Sequence, residues 1–411
     1  MALSRKNPLF ASMVMAVVSL CLSLVIAELV LRSAIPLDSR QPLEFRIPDP
    51  ILGWALQPNT TYRYATPEGM VTVTYNTEGW RDVEHRVEKP PGVFRILVLG
   101  DSFMEANSVK LEESFPRQVE ELAGAVGKKV EVLNMGVAGY GTLQEYLVFE
   151  RFGYLYDPDL VLVGFYDGND LNNNSFELAS ILTGEGQIAN ARPFLDIKNS
   201  DWTITPVDFE GSQRNYAKQK ASLEANRNKL TQKLAILRLL SKGMAQIANR
   251  VTPTSQESQV GQVVKDRQEM ALLGMNYCVE PEEYTRAWDI TERIFAKFKE
   301  EVEAHGAKLV VFGIPTLEEV SLEYMKNVTA KVAQPDKLCL EEAPGQLRLS
   351  NMLNKLHIEF VPLLSDFRKF TREDGIQLYR ISDLHWNPKG HSLAARIVVS
   401  ELVKRGSLPP P

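Results

Sequence analysis

From about Val93 onward the chain alternates short, continuous apolar runs with segments of helical spacing, and this rhythm narrows the fold more than any other feature. "FRILVLG" is an apolar run closed by glycine. "SFPRQVEELAGAVG" comes after it, with Phe115, Val119, Leu122 and Val126 at helical spacing. "KVEVLNMG" reads as a second strand, "TLQEYLVFERFGYLY" as a second helix and "PDLVLVGFYDGND" as a third strand. From about Tyr284 the rhythm returns: a helix, the strand "AKLVVFGIP", another helix, the strand "IEFVPL" and a final helix. Runs of this kind, alternating with helices, predict a parallel sheet covered by helices on both faces. In that architecture ligands bind at the carboxyl ends of the strands. Ser102, Gly139 and Asn169 each fall just after a strand, so the fold gathers them at one edge.

The rest of the chain is organised around this domain. Pro8 to Ala27 carries no charge, and about 20 apolar residues at 1.5 Å each cross a bilayer core. A secretory signal has a shorter apolar region, of about 7–15 residues, and a small-residue cleavage site, for which Val25-Ile26-Ala27 is a candidate. The reading taken is an uncleaved anchor over 1–34, its basic start inside and the remainder in the periplasm or outside the cell. Residues 35–92 read as a small β-rich lead-in. Val71, Val73 and Tyr75 alternate there with Thr72 and Thr74, after the turn "TPEG". Residues 93–411 form the α/β domain, interrupted at about 175–280 by a polar and helical insertion. Its 214–250 segment places Leu223, Leu230, Leu234, Leu237 and Leu240 on one stripe, a candidate contact for an envelope partner protein. A net charge of -6 gives no basic surface for nucleic acid. Of the three cysteines, Cys21 lies in the apolar span. Cys278 and Cys339 would face an oxidising space, either bridged to each other or as two separate buried thiols.

The chemistry is carried by short stretches far apart in the chain. In "ISDLHWNPKGHSLAARIVVSELVKRG" Asn387 is a good N-cap, Pro388 a good first helical residue and Gly406 a good stop. Asp383 and His385 therefore lie in the loop just before a terminal helix. Acyl transfer needs a nucleophile, a base, a group to orient the base and donors for the oxyanion. Ser102 can attack, His385 can take its proton and Asp383 can orient the imidazole. The backbone N–H groups of Ser102 and Gly139 and the amide of Asn169 can hold the oxyanion. Taken singly, each of these stretches is more often a turn or a surface pair. Asp101 and Asp170 are read as structural, the first bonding loop N–H groups and the second capping the helix after it. Arg95 and Trp386 are candidates for the pocket border. Neither a His-x-x-x-His nor a cysteine pair supports a metal at His385 and His391.

Together the stretches resemble the SGNH hydrolases, the GDSL-type esterase superfamily. Gly100-Asp101-Ser102-Phe103 is similar to its first block, and Asn134-Met135-Gly136-Val137-Ala138-Gly139 to its second, with Gly139 at the oxyanion position. Gly168-Asn169-Asp170 is similar to the third, and Asp383-Leu384-His385 to the last. The usual spacing of that last block is Asp-x-x-His. Here Ser382 stands where that Asp would be, and "DLHWN" is more similar to the Asp-x-His-Trp pattern of the alginate O-acetylation proteins of the same superfamily. The resemblance covers about 93–170 and 285–406. It implies a flavodoxin-like three-layer fold and cofactor-free hydrolysis or transfer of ester-linked acyl groups. The expectation is a serine esterase or O-acyltransferase working on acyl groups, most simply acetyl, of an envelope or exported polysaccharide. The alternatives are a lipase or lysophospholipase, against which the polar insertion speaks, and a non-catalytic envelope scaffold, which has no need of oxyanion donors.

Overall fold

The computed structural model describes residues 8–34, 39–125, 129–183, 191–196, 202–229, 233–237, 239–240 and 259–408. By internal contacts the chain divides into two units, Met1–Arg40 with Asn215–Glu257, and Gln41–Arg214 with Ser258–Pro411.

The second unit holds the strands. Two antiparallel hairpins come first, β1 (Arg46–Asp49) with β2 (Gly53–Leu56), and β3 (Thr60–Thr66) with β4 (Gly69–Tyr75). On β4 the expected alternation holds: Val71, Val73 and Tyr75 are buried, while Thr72 and Thr74 face solvent. Next come β5 (Phe94–Leu99), β6 (Val130–Asn134) and β7 (Leu160–Tyr166), then a small hairpin of β8 (Phe194–Asp196) and β9 (Thr203–Thr205). Strands β10 (Lys308–Ile314) and β11 (Glu359–Pro362) complete the set.

Strands β5, β6, β7, β10 and β11 form one parallel sheet in the order β11-β10-β7-β5-β6. Counted along this sheet, that is the doubly wound 2-1-3-4-5 order, in which the switch point lies between β5 and β7. Successive side chains of a strand point to opposite faces, so a sheet covered on both sides makes two cores. Leu97, Leu99, Val161, Val163, Leu309 and Val311 pack into one core, with the helices Thr142–Arg151, Glu282–Ala304 and Pro344–Lys355. Ile96, Val98, Leu160, Leu162, Val310 and Phe312 pack into the other, with the helices Phe115–Gly124, Leu364–Arg372 and Pro388–Lys404. The architecture is three layers, α/β/α.

The lead-in hairpins belong to the same unit as the sheet. Tyr75 Oη donates to buried Glu105 at 2.8 Å, and Tyr140 Oη bonds the Trp54 carbonyl at 2.5 Å. The disulfide Cys278–Cys339 forms, its Cα atoms 5.0 Å apart. Arg95 is corrected. Its guanidinium is fully buried and spent on Glu131 and on the carbonyls of Arg86, Val87 and Tyr156, so it anchors the amino end of β5, away from the pocket edge.

In the first unit, the helix Pro8–Ala34 contains a 21-residue stretch, Ser12–Arg32, of mean hydropathy 2.6 in which no residue is fully buried. By length and composition it can cross a membrane. The expected continuous helix over 214–250 is corrected. The described helix runs Phe209–Asn228, and the helical run is broken again at Leu234. The Glu28 carboxylate accepts from the N–H groups of Ala235 and Ile236, at 2.9 and 3.1 Å. Donors taken by a side chain in this way mark a new helical start. Of the apolar stripe, Leu240 is exposed, and Leu230 and residues 241–250 lie outside the described residues.

Candidate active site

Strand β5 ends in Gly100, which takes φ +152; a Cβ there would strike the Met104 side chain. Asp101 then caps the short helix Ser102–Glu105, its Oδ1 accepting from Phe103 N at 2.9 Å. This presents Ser102 at the carboxyl edge of the sheet.

The other residues arrive from three directions. After β6 the chain passes alongside this turn: Val137 N donates to the Gly100 carbonyl at 3.0 Å, and Ala138 N to Glu105 Oε2 at 2.6 Å. Gly139 comes next at φ +83, a left-handed conformation that suits glycine. After β7, Asn169 opens the helix Asp170–Asn174. The loop before the terminal helix is pinned by Arg380, whose guanidinium bonds Ser108 Oγ at 2.8 Å, the Trp386 carbonyl at 2.9 Å and Glu68 at 2.8 Å. Asn387 caps the terminal helix as expected, accepting from Lys389 N and Gly390 N. Behind His385, Phe103 lies 5.1 Å from the imidazole and 4.9 Å from the Trp386 ring.

The result is a contact across 283 residues: His385 Nε2 lies 2.8 Å from Ser102 Oγ. The serine hydroxyl has one proton and two nearby acceptors, the imidazole at 2.8 Å and Asp101 Oδ2 at 3.4 Å. The shorter contact decides for the imidazole. Nε2 then accepts, and the ring carries its proton on Nδ1. Asp383 Oδ1 faces Nδ1 at 3.8 Å, beyond hydrogen-bond length, while also accepting from His385 N at 3.2 Å. The N–H groups of Ser102 and Gly139 have no acceptor among the described residues. Asn169 Nδ2 gives one proton to Asp101 Oδ2 at 2.8 Å and keeps a second. Ser102, His385, Asp383 and Asn169 are thus linked to one another, the last through Asp101, with Asp383 the least tightly joined. Gly139 follows Ala138, whose N–H bonds Glu105 in the Ser102 helix.

Asp101 does more than bond loop N–H groups: it also fixes the amide of Asn169. Asp170 is corrected. Its carboxyl accepts from Tyr166 N at 2.5 Å, bonding back to the end of β7 instead of capping the next helix. Beneath the site lie three carboxyl groups, Asp101, Glu145 and Asp170, all buried. Burial raises all three above the ordinary carboxylate range, Glu145 and Asp170 well above it, and their mutual repulsion adds to this for the latter two. His391 is a core histidine: its Nδ1 accepts from Phe115 N at 3.2 Å, and burial holds it well below the usual imidazole range. No group of three or more metal-ligating side chains occurs among the described residues.

Sequence reasoning missed Glu105, Arg81, Arg380, Trp54, Arg46 and Arg192. Glu105 is buried and ties Tyr75 to the Gly139 loop, and Arg81 ties the lead-in to the Glu105 carbonyl at 2.9 Å. Trp54 lies against Gly139, with Arg46 and Arg192 over its ring. A lone Gly-Trp or Ala-Arg-Pro in the sequence carries no signal for such contacts.

No protein-family model matches the chain, and no curated protein does. Among solved structures the chain is similar to an acetyl xylan esterase, at 11% identity and a TM-score of 0.38, over 75% of this chain and 100% of that one. It is also similar to a lipase/acylhydrolase from Enterococcus faecalis, at 11% identity and a TM-score of 0.37, over 77% of this chain and 98% of that one. A third is a two-domain esterase active on acetylated mannans, at 11% identity and a TM-score of 0.37, over 78% of this chain and 51% of that one.

Proposed function

We propose that this chain is a serine esterase or O-acyltransferase that forms an acyl-enzyme on Ser102. The observation that carries this reading is the 2.8 Å contact between Ser102 Oγ and His385 Nε2. His385 takes the hydroxyl proton as Ser102 Oγ attacks the ester carbonyl carbon. The carbonyl electron pair moves to the oxygen, which the N–H groups of Ser102 and Gly139 and the Asn169 amide receive. The intermediate collapses, His385 returns the proton to the leaving alkoxide, and the acyl group remains on Ser102. Water or a sugar hydroxyl, deprotonated by His385, then takes the acyl group and regenerates the serine. Asp383 faces the Nδ1 proton, and a side-chain rotation brings it to bonding distance as the imidazolium forms.

The substrate proposed is an acyl ester, most simply acetyl, on an envelope or exported polysaccharide. The apolar helix holds the chain at a membrane as a single-pass anchor, with the Cys278–Cys339 disulfide on the oxidising, periplasmic side. No cofactor enters the scheme.

The test is acetate release from p-nitrophenyl acetate by the full chain in detergent, beside Ser102→Ala. Turnover is expected in the first and its loss in the second. Labelling of Ser102 by a fluorophosphonate covers the case of a transferase that lacks its acceptor. No turnover and no labelling would sink the reading.

A further inference from the structure

The loop that carries Gly139 is not fixed by its own backbone. Gly136-Val137-Ala138-Gly139 holds two glycines, and glycine accepts almost any backbone direction. An oxyanion donor must nevertheless point at one place, about 2.7–3.1 Å from the developing charge. Neighbouring groups hold the loop instead. Val137 N donates to the Gly100 carbonyl at 3.0 Å, and Asn173 Nδ2 donates to the Gly139 carbonyl at 3.3 Å. Between them, Ala138 N donates to Glu105 Oε2 at 2.6 Å. Glu105 ends the short helix that Ser102 begins. One side chain therefore links the helix of the nucleophile to the residue before the oxyanion glycine. Gly136 permits this close approach: a Cβ there would strike Met104 Cβ and lie 3.2 Å from Glu105 N.

The other oxygen of Glu105 is held from the lead-in. The carboxyl group is buried, and its Oε1 accepts from Tyr75 Oη at 2.8 Å and from Asn107 Nδ2. Tyr75 spends its proton on Glu105, so Tyr62 Oη, 3.0 Å away, donates to Tyr75. Both tyrosines belong to the β3–β4 hairpin. Burial pushes both phenols up, which keeps them protonated and able to donate. Arg81, just beyond the hairpin, closes on the same helix end. Its guanidinium donates to the carbonyls of Glu105 at 2.9 Å, of Ala106, and of Val109 at 2.5 Å. A buried carboxyl group that loses its donors is costly, so a set satisfied in this way holds its geometry firmly.

We propose that Glu105 is the positioning residue of the oxyanion loop, and that Tyr75 makes the lead-in hairpin part of the catalytic apparatus. Tyr75 fixes the carboxyl group, the carboxyl group fixes the Ala138 N–H, and the direction of the Gly139 N–H follows. The use of that N–H rests on the esterase reading; the chain of contacts does not.

Two measurements on the full chain in detergent separate the two ideas, with wild type, Glu105→Ala, Glu105→Gln and Tyr75→Phe. The first is hydrogen exchange of the 136–141 segment, read by mass spectrometry without any substrate. Exchange at Ala138 is expected to speed up about tenfold or more in Glu105→Ala, and to be largely restored in Glu105→Gln, whose amide oxygen still accepts. The second is turnover of p-nitrophenyl acetate below the melting temperature of each variant. Loss of a whole oxyanion donor costs roughly 10²–10³ in kcat, so a misdirected one in Glu105→Ala should cost about 10–10². KM and the pH midpoint of kcat/KM set by His385 should stay unchanged, and Glu105→Gln should recover part of the loss. Tyr75→Phe, which keeps the ring, should lower kcat in the same way by about tenfold. Faster exchange in Glu105→Ala with no turnover in wild type would keep the positioning contact and remove the esterase reading. Ser102-dependent turnover with wild-type kcat in Glu105→Ala would do the reverse. A kcat loss accompanied by a moved pH midpoint would also overturn the proposal, because the defect would then lie at His385. If Glu105→Ala fails to fold, Tyr75→Phe decides: unchanged exchange and unchanged kcat overturn the link to the lead-in.

Discussion

At the scale of single residues, the site is a competition between acceptors for few protons. Asn169 gives one amide proton to Asp101 and keeps a second, which the proposed reaction uses for the oxyanion. Asn169→Ala should lower kcat by roughly 10²–10³, as loss of one oxyanion donor does, with little change in KM. A silent Asn169→Ala would remove it from the oxyanion site. Asp383 stands 3.8 Å from Nδ1 in the free protein. As the orienting group, Asp383→Ala should cost roughly 10²–10⁴ in kcat. Wild-type kcat in that variant would leave Asp383 only its bond to the His385 backbone.

Elements act by carrying groups to the sheet edge and by burying what lies beneath. The helix Thr142–Arg151 places Glu145 in the interior with both carboxyl oxygens unpartnered. Its folded-state pKa is raised by burial and by Asp101. In the window between the unfolded value, about 4.3, and the raised folded value, the folded state binds more protons than the unfolded state. Stability therefore falls as pH rises through this window. Glu145→Gln removes the charge that must be suppressed. It should raise the melting temperature at pH 8 more than at pH 4. Equal shifts at both pH values would contradict this account.

On the scale of the whole molecule, the Cys278–Cys339 disulfide joins positions 61 residues apart in sequence. A closure of that length restricts the unfolded chain by an amount worth about 4 kcal/mol on the chain-entropy view. The Cys278→Ser, Cys339→Ser double variant should unfold at a clearly lower temperature, with Ser102-dependent turnover preserved below it. Equal melting temperatures, checked by calorimetry on oxidised wild type and the double variant, would show that the bridge adds nothing.

Period and punctuation determined much of this protein. Continuous apolar runs such as "FRILVLG" belong to buried parallel strands because both faces of the sheet are covered, and a strand leading into a helix puts its next loop at one edge. Ser102, Asn169 and His385 are legible for that reason, since each opens or shortly precedes a helix, whereas Gly139 lies inside the loop between β6 and the helix Thr142–Arg151. Local chemistry also marks Asn387, Pro388 and Gly406 as the ends of the last helix. Only the tertiary structure decided what depends on approach through space. Arg95 reads in sequence as a pocket residue, yet its fork closes on Glu131 and three carbonyls that no local pattern announces. Asp170 bonds backwards to Tyr166 because the β7 turn brings that N–H within reach. Trp54 and Arg192 come together beside Gly139 from 85 residues before it and 53 after it. A guanidinium looks the same in sequence whether water or a buried ring surrounds it, so its surroundings become visible only when the chain is folded.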